Sequence, residues 1–154
     1  MGAYYAKAWH MWFTYPMTRF RVAYSAPGDK TINEAEVTEL LAARIRNFGG
    51  VVRELAPGAS LERNDMRVIL CRTGSRLAYL AYVTRSLLGR AWTIPGIELA
   101  YATKASCEYA TPKSGAAQPK IYVEADGELI GSLPAEISVV PDALTVLAPA
   151  VSKR

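Results

Sequence analysis

The stretch Lys120 to Pro149, KIYVEADGELIGSLPAEISVVPDALTVLAP, leaves the chain little choice but β-structure. Ile121 and Val123 alternate with Tyr122 and Glu124, the period of a strand with one buried face. Asp126-Gly127 then reads as a type I′ hairpin turn, which needs positive φ at both central residues. Leu129 and Ile130 resume the strand beyond Glu128, and Pro134 limits what can pair beside it. Ala135 to Val140 make another strand, Pro141-Asp142 turns the chain, and Ala143 to Leu147 run back. Asp before Gly is common turn chemistry, so the dipeptide alone implies a turn followed by a solvated Glu128.

Upstream, Tyr4 to Thr14 can form a helix with aromatics over much of its circumference, ended by Pro16. Such a helix needs cover, from this domain, another copy or a missing domain. His10, the one histidine, reads as a packing residue amid Trp9, Met11 and Trp12. Thr18 to Tyr24 alternates as a strand, with Phe20, Val22 and Tyr24 on one face. Ala26 to Asp29 is a loop. Asn33 to Phe48 is ambiguous. Glu, Ala and Leu favour helix and Asn33 could cap it, yet Ala43 to Arg46 alternates and Gly49-Gly50 breaks the chain.

Leu55 to Asp65 reads as a loop and Met66 to Cys71 as a strand. Ser75 can cap a helix from Arg76 to Leu88, stopped by Gly89. Leu77, Leu80, Ala81, Thr84, Leu87 and Leu88 fall on one face of it, the face expected to pack inward. Ile94 to Ala100 and Ala105 to Ala110 are further strands, and Thr111 to Pro119 is a polar loop. With no internal repeat and no domain boundary, residues 1–154 read as a single domain. The fold class is mainly β, an antiparallel β-sandwich with one or two helices.

Half of the 154 residues are hydrophobic (51 %), which excludes a disordered chain. No apolar run nears the roughly 18 residues that suggest a membrane span. The first residues lack the basic region and cleavage site of a signal peptide. Cys71 and Cys107 have no metal spacing and read as buried reduced thiols, so a cytoplasmic location is expected. The net charge is +4, and its placement matters more. Arg63, Arg67, Arg72, Arg76, Arg85 and Arg90 lie in one segment with a single acid, Asp65. They are either a solvated face or a basic surface for an anionic membrane, which would make the protein peripheral there. No nucleic-acid motif is present.

The order and spacing of the closing stretch resemble the diacylglycerol kinase-like lipid kinases, the superfamily that includes sphingosine kinases and, more distantly, NAD kinases. The residues that carry this are Ile121-Tyr122-Val123, Asp126-Gly127-Glu128, Pro134, Val139-Val140-Pro141 and Leu144 to Pro149. The resemblance implies a core strand over Val37 to Phe48 and only the C-terminal half of a two-domain enzyme. A Gly-Gly-Asp-Gly-Thr phosphate loop is absent from the sequence, and with it the nucleotide-binding domain.

In such enzymes the γ-phosphoryl of ATP moves to a lipid hydroxyl with magnesium present. The resemblance implies Asp126 as general base and Glu128, with Gly127, as the contact to magnesium or nucleotide. ATP and Mg²⁺ are then cofactors of the complete enzyme, and this half alone is expected to be inactive. Its partners are a lipid substrate (diacylglycerol- or sphingoid-like), an anionic membrane and the missing half. A bacterial structural magnesium site is expected to be lost here, since Arg63 interrupts the loop that keeps only Glu62 and Asp65. The rival reading is a non-catalytic lipid- or protein-binding sandwich whose Asp126-Gly127-Glu128 is a plain hairpin.

Overall fold

Strand β1 (Phe20–Ser25) buries Phe20, Val22 and Tyr24 and turns Arg21 to solvent, as its alternation requires. It is flanked on both sides by antiparallel partners, β2 (Ile32–Val37) and β6 (Lys104–Tyr109). Val22 stands opposite Ala35 on one side and Cys107 on the other, and all three are buried. With β9 (Ala135–Ser138) they form a four-stranded sheet in the order β2-β1-β6-β9. The structure is a computed structural model. It describes residues 16–29, 31–47, 54–89, 93–111 and 119–143, together with His10 and Thr14.

A second sheet has the order β3-β4-β5, from β3 (Glu39–Ala43), β4 (Met66–Cys71) and β5 (Ile97–Ala102). Its central strand is nearly continuous in apolar residues because both of its faces are covered. Met66, Val68 and Leu70 meet Phe20, Val22 and Val37 of the first sheet. Ile69 and Cys71 face the other way, into a cluster with Tyr82 of helix α1 (Arg76–Leu88). The layers are therefore sheet, sheet and helix. Every strand pairing is antiparallel, so the sandwich expected from the sequence is the fold observed.

The chain passes between sheets at two single-residue corners. Thr38 joins β2 to β3, and Thr103 joins β5 to β6. Thr38 Oγ1 lies 3.0 Å from the Cys71 carbonyl, 2.6 Å from that of Thr73 and 2.8 Å from Tyr79 Oη. These polar partners hold the corner where no sheet ladder can run through it. This corrects the strand expected over Val37 to Phe48. It is two strands, Ile32–Val37 and Glu39–Ala43, separated by Thr38, and it ends before Arg44. Ile94 also falls outside β5, because Pro95 and Gly96, with Gly96 at φ +80°, make a turn first.

Helix α1 has the expected bounds, with Ser75 extended before it and Gly89 left-handed at φ 63° after it. Ser75 makes no side-chain cap bond; its carbonyl accepts from Ala78 and Tyr79 instead. The buried face is the reverse of the one expected. Tyr82, Arg85 and Ser86 are buried, while Leu77, Leu80, Leu87 and Leu88 are exposed. Polar bonds decide the roll. Tyr82 Oη donates to the Leu55 carbonyl at 2.6 Å, and Ser86 Oγ to the Tyr82 carbonyl at 2.9 Å. Tyr79 meets Thr38 beneath.

The aromatic helix expected over Tyr4 to Thr14 lies outside the described residues except at its two helical positions, His10 and Thr14. His10 is exposed rather than packed, and Thr14 Oγ1 bonds back to its carbonyl at 2.7 Å. Gly49-Gly50 and the closing strand beyond Ala143 also lie outside the described residues.

Candidate functional site

The closing hairpin is a two-stranded ribbon of β7 (Tyr122–Ala125) and β8 (Glu128–Ser132). Its root belongs to the sandwich. Ile121 and Val123 pack on the core between the sheets, Leu133 is buried, and the Leu133 amide donates to the Ile121 carbonyl at 3.0 Å. Ala125 pairs with Glu128, leaving Asp126 and Gly127 as a two-residue loop with φ 51° and 88°. Both values are positive, as a type I′ turn demands. Asp tolerates the left-handed region, and Gly127 occupies it at no steric cost, with nothing within 4 Å of where a Cβ would stand.

The register shifts once, between Val123 and Glu124. Val123 faces Gly131 and Glu124 faces Leu129, so Ile130 is the extra residue of a β-bulge. A bulge twists a ribbon and re-aims its end. Beyond the root, both faces of the ribbon are exposed, including Tyr122, Leu129 and Ile130. Such a pair of strands is marginal unless something packs on it.

Asp126 and Glu128 are exposed at the tip, and neither carboxylate is engaged in a hydrogen bond or ion pair among the described residues. Glu124 is a third exposed carboxylate in the same five residues. Reading the sequence for a turn overlooked it, although its spacing from Asp126 was visible. Glu124 pairs with Leu129 and Glu128 with Ala125, so the two glutamates leave opposite faces of the ribbon. No three His, Cys, Asp or Glu side chains among the described residues converge as a metal site. Two hard oxygen donors are a fitting partial set for magnesium, which keeps several waters and takes its other ligands from phosphates.

A cleft of about 360 Å³ opens beside the segment Ile137 to Val140. Ala42, Ala43, Arg44 and Met66 form its opposite wall. Its lining is apolar apart from Arg44 and Ser138, and it lies at the open edge between the two sheets. A second, smaller cleft at the ribbon's root includes Thr18, Thr38, Lys120 and Tyr122.

The arginines do not form one free basic face. Arg63 grips Asp65 through Nε at 2.7 Å and Nη2 at 2.5 Å. Arg63 and Arg67 both lie over the Tyr101 ring, at 4.1 and 4.2 Å. Arg72 pairs with Glu98 at 2.9 Å. Arg85 is only 5 % exposed, with its guanidinium over the Tyr82 ring and its Nε and Nη1 without partners. Arg90 lies outside the described residues. In the loop from Ala59 to Asp65, Arg44 donates to the carbonyls of Leu61 and Arg63, so two guanidinium groups hold the loop. The thiols are free and buried, and burial pushes both Cys71 and Cys107 up to about 11.

Two packed antiparallel sheets with a projecting hairpin make the described residues a β-sandwich domain. Residues 2–148 match the family described as the YegS C-terminal NAD kinase beta sandwich-like domain, and the chain belongs to that family. No curated protein sequence matches it. Three solved structures from Bacillus anthracis str. Sterne, each bearing the name diacylglycerol kinase, share the fold. The first has TM-score 0.58 at 16 % identity and covers 87 % of this chain and 43 % of its own. The second has TM-score 0.57 at 16 % identity, covering 85 % and 40 %. The third has TM-score 0.52 at 14 % identity, covering 90 % and 48 %. The chain thus spans less than half the length of these proteins. No helix among the described residues is long and apolar enough to cross a membrane.

Proposed function

We propose that this chain is the lipid-side half of a diacylglycerol kinase-like enzyme, acting with a nucleotide-binding half to phosphorylate a lipid hydroxyl. The observation that carries the reading is the Asp126-Gly127-Glu128 tip. Two unengaged carboxylates stand on a two-residue turn, and solved structures that share the fold are named as diacylglycerol kinases. Asp126 accepts the proton of the lipid hydroxyl as its oxygen attacks the γ-phosphorus of ATP, and ADP leaves. Glu128 holds the magnesium or nucleotide side of the transfer, and Gly127 keeps the tip free of a Cβ. Magnesium supplies charge neutralisation on the phosphates when bound. The apolar cleft at Ile137 to Val140 suits part of an acyl chain.

The sequence holds no phosphate loop, so this half alone is inactive in the proposal. The test is Asp126→Asn in a complete two-half enzyme. Asn keeps the turn preference but takes no proton at neutral pH. The expected result is unchanged folding with lipid phosphorylation down by about 10² to 10⁴. Unchanged turnover would assign the tip to the rival reading, a binding module with a plain hairpin.

A further inference from the structure

Three arginines meet in the layer between helix α1 and the sheet β3-β4-β5, with one carboxylate among them. Arg67 belongs to the face of β4 that carries Ile69 and Cys71, and it stands opposite Tyr101 of β5. Arg63 and Arg67 lie over the Tyr101 ring at 4.1 and 4.2 Å. Arg85 comes down from the helix and lies over the Tyr82 ring at 5.2 Å. Tyr82 feels both inner arginines: burial pushes its phenol up, and the charges of Arg85 and then Arg67 pull it back. The carboxylate is Asp65, and Arg63 holds both of its oxygens. All 14 acidic side chains of the chain lie among the described residues. Their ion pairs there take Glu36, Glu54, Asp65, Glu98 and Glu136, and none includes Arg67 or Arg85. Arg85 is 5 % exposed, and its Nε and Nη1 are buried without a hydrogen-bond partner, as is Nε of Arg67. Buried charges in folded proteins are paired or bind an ion, because an uncompensated one is heavily disfavoured.

We infer that Arg67 and Arg85 form a binding site for a small dianionic oxyanion of the phosphate class, seated between β4 and helix α1. Charge fits. Three guanidinium groups less Asp65 leave two positive charges, which a dianion balances. Donors fit. The unpaired nitrogens are guanidinium N–H groups, which make charge-assisted bonds to oxyanions. Access fits. Arg85 closes the inner end, while Arg67 is half-buried and Arg63 at the outer end has a side chain 42 % exposed. Depth limits the ligand to a small one, since Arg85 lies beneath the helix and out of reach of a protein surface. Bound there, the anion ties the helix to the sheet, so the stability of the domain follows its concentration. The site stands apart from the Asp126 tip and is independent of the lipid-kinase reading.

The test is thermal unfolding of the chain in inorganic phosphate and in chloride at matched ionic strength, with titration calorimetry of the unaltered chain beside it. Phosphate is expected to raise the melting temperature saturably, by about 5 °C at a hundredfold excess over the dissociation constant. Arg85→Met keeps the apolar stem and removes the charge. In chloride it is expected to melt at or above the unaltered chain, because an uncompensated buried charge is gone. It is expected to retain less than about a fifth of the rise in phosphate. Arg67→Met should weaken the rise in the same direction, and Arg76→Met, at the far end of the helix, should leave it intact. Glycerol 3-phosphate, run in parallel, separates the two sources of the ligand: an equal rise admits phosphomonoesters, and a rise with inorganic phosphate alone restricts the site to the free anion. A rise that grows without saturation and is the same in Arg85→Met is general salting-out and would overturn the inference. Arg85→Met destabilised equally in both salts would make Arg85 a packing residue and overturn it too. Calorimetry needs no variant, and the absence of a saturable heat with phosphate would overturn it directly.

Discussion

Arg63 and Asp65, two residues apart, close a two-point grip in which one guanidinium edge meets both carboxylate oxygens. Asp65 is buried, and Arg63 is its ion-pair partner. The loop from Ala59 to Asp65 is therefore pinned by a cation belonging to the chain itself. Arg63→Ala is expected to lower the melting temperature clearly. Arg63→Lys should restore only part of the loss, because an ammonium cannot make the two-point contact. Thermal unfolding of the three proteins measures this. Equal melting temperatures for Lys and Arg at this position would show that charge alone matters.

The roll of helix α1 predicts a reversal of ordinary leucine behaviour. Tyr82→Phe deletes a hydroxyl that reaches the Leu55 carbonyl, and it is expected to cost about 1 kcal/mol. Leu77→Ser, on the exposed stripe, is expected to fall within about 0.5 kcal/mol of the unaltered chain. Urea unfolding separates the two. A larger loss from Leu77→Ser would return the stripe to the core.

The hairpin tip makes a local prediction. Asp126 and Gly127 both have positive φ. Gly127→Val forces a β-branched residue into that region and is expected to cost about 1–2 kcal/mol. Asp126→Asn should leave stability unchanged, since Asn-Gly serves the same turn. Melting temperatures and amide exchange along β7 and β8 are the readouts.

The buried thiols predict an alkaline limit. An unfolded thiol ionises near 9.0, while Cys71 and Cys107 in the fold stay protonated up to about 11. Their folded values are raised, so their contribution is complete below pH 9.0 and is lost as pH climbs towards about 11. Tyr79 and Tyr82, also pushed up by burial, extend the loss to higher pH. Stability measured by urea is expected to fall across that window, and Cys107→Ala is expected to flatten the fall. Alkylation of the folded chain near neutral pH should be slow, since thiolate is the reactive form.

Much of this fold could be read without coordinates, and the reasons are local. The φ values at Asp126 and Gly127, the bounds of β4 and the ends of helix α1 at Ser75 and Gly89 follow from chemistry within a few residues. Alternation alone put Phe20, Val22 and Tyr24 on the buried face of β1. The Asp126-Gly127-Glu128 tip was legible for the same reason. The carboxylates and the turn that presents them lie on one short segment.

What the sequence could not decide depended on groups distant along the chain. Thr38 splits an apparently continuous segment because the carbonyls of Cys71 and Thr73 and the hydroxyl of Tyr79 converge on it. Helix α1 rolled its leucines outward because the Leu55 carbonyl and Thr38 wait beneath its tyrosines. Among the arginines close in sequence, Arg63 and Arg72 are drawn to Asp65 and Glu98, and Arg63, Arg67 and Arg85 lie over the rings of Tyr101 and Tyr82. Periodicity tells which residues share a face. Only the packed structure, where each buried polar group must find its partner, tells which way that face points.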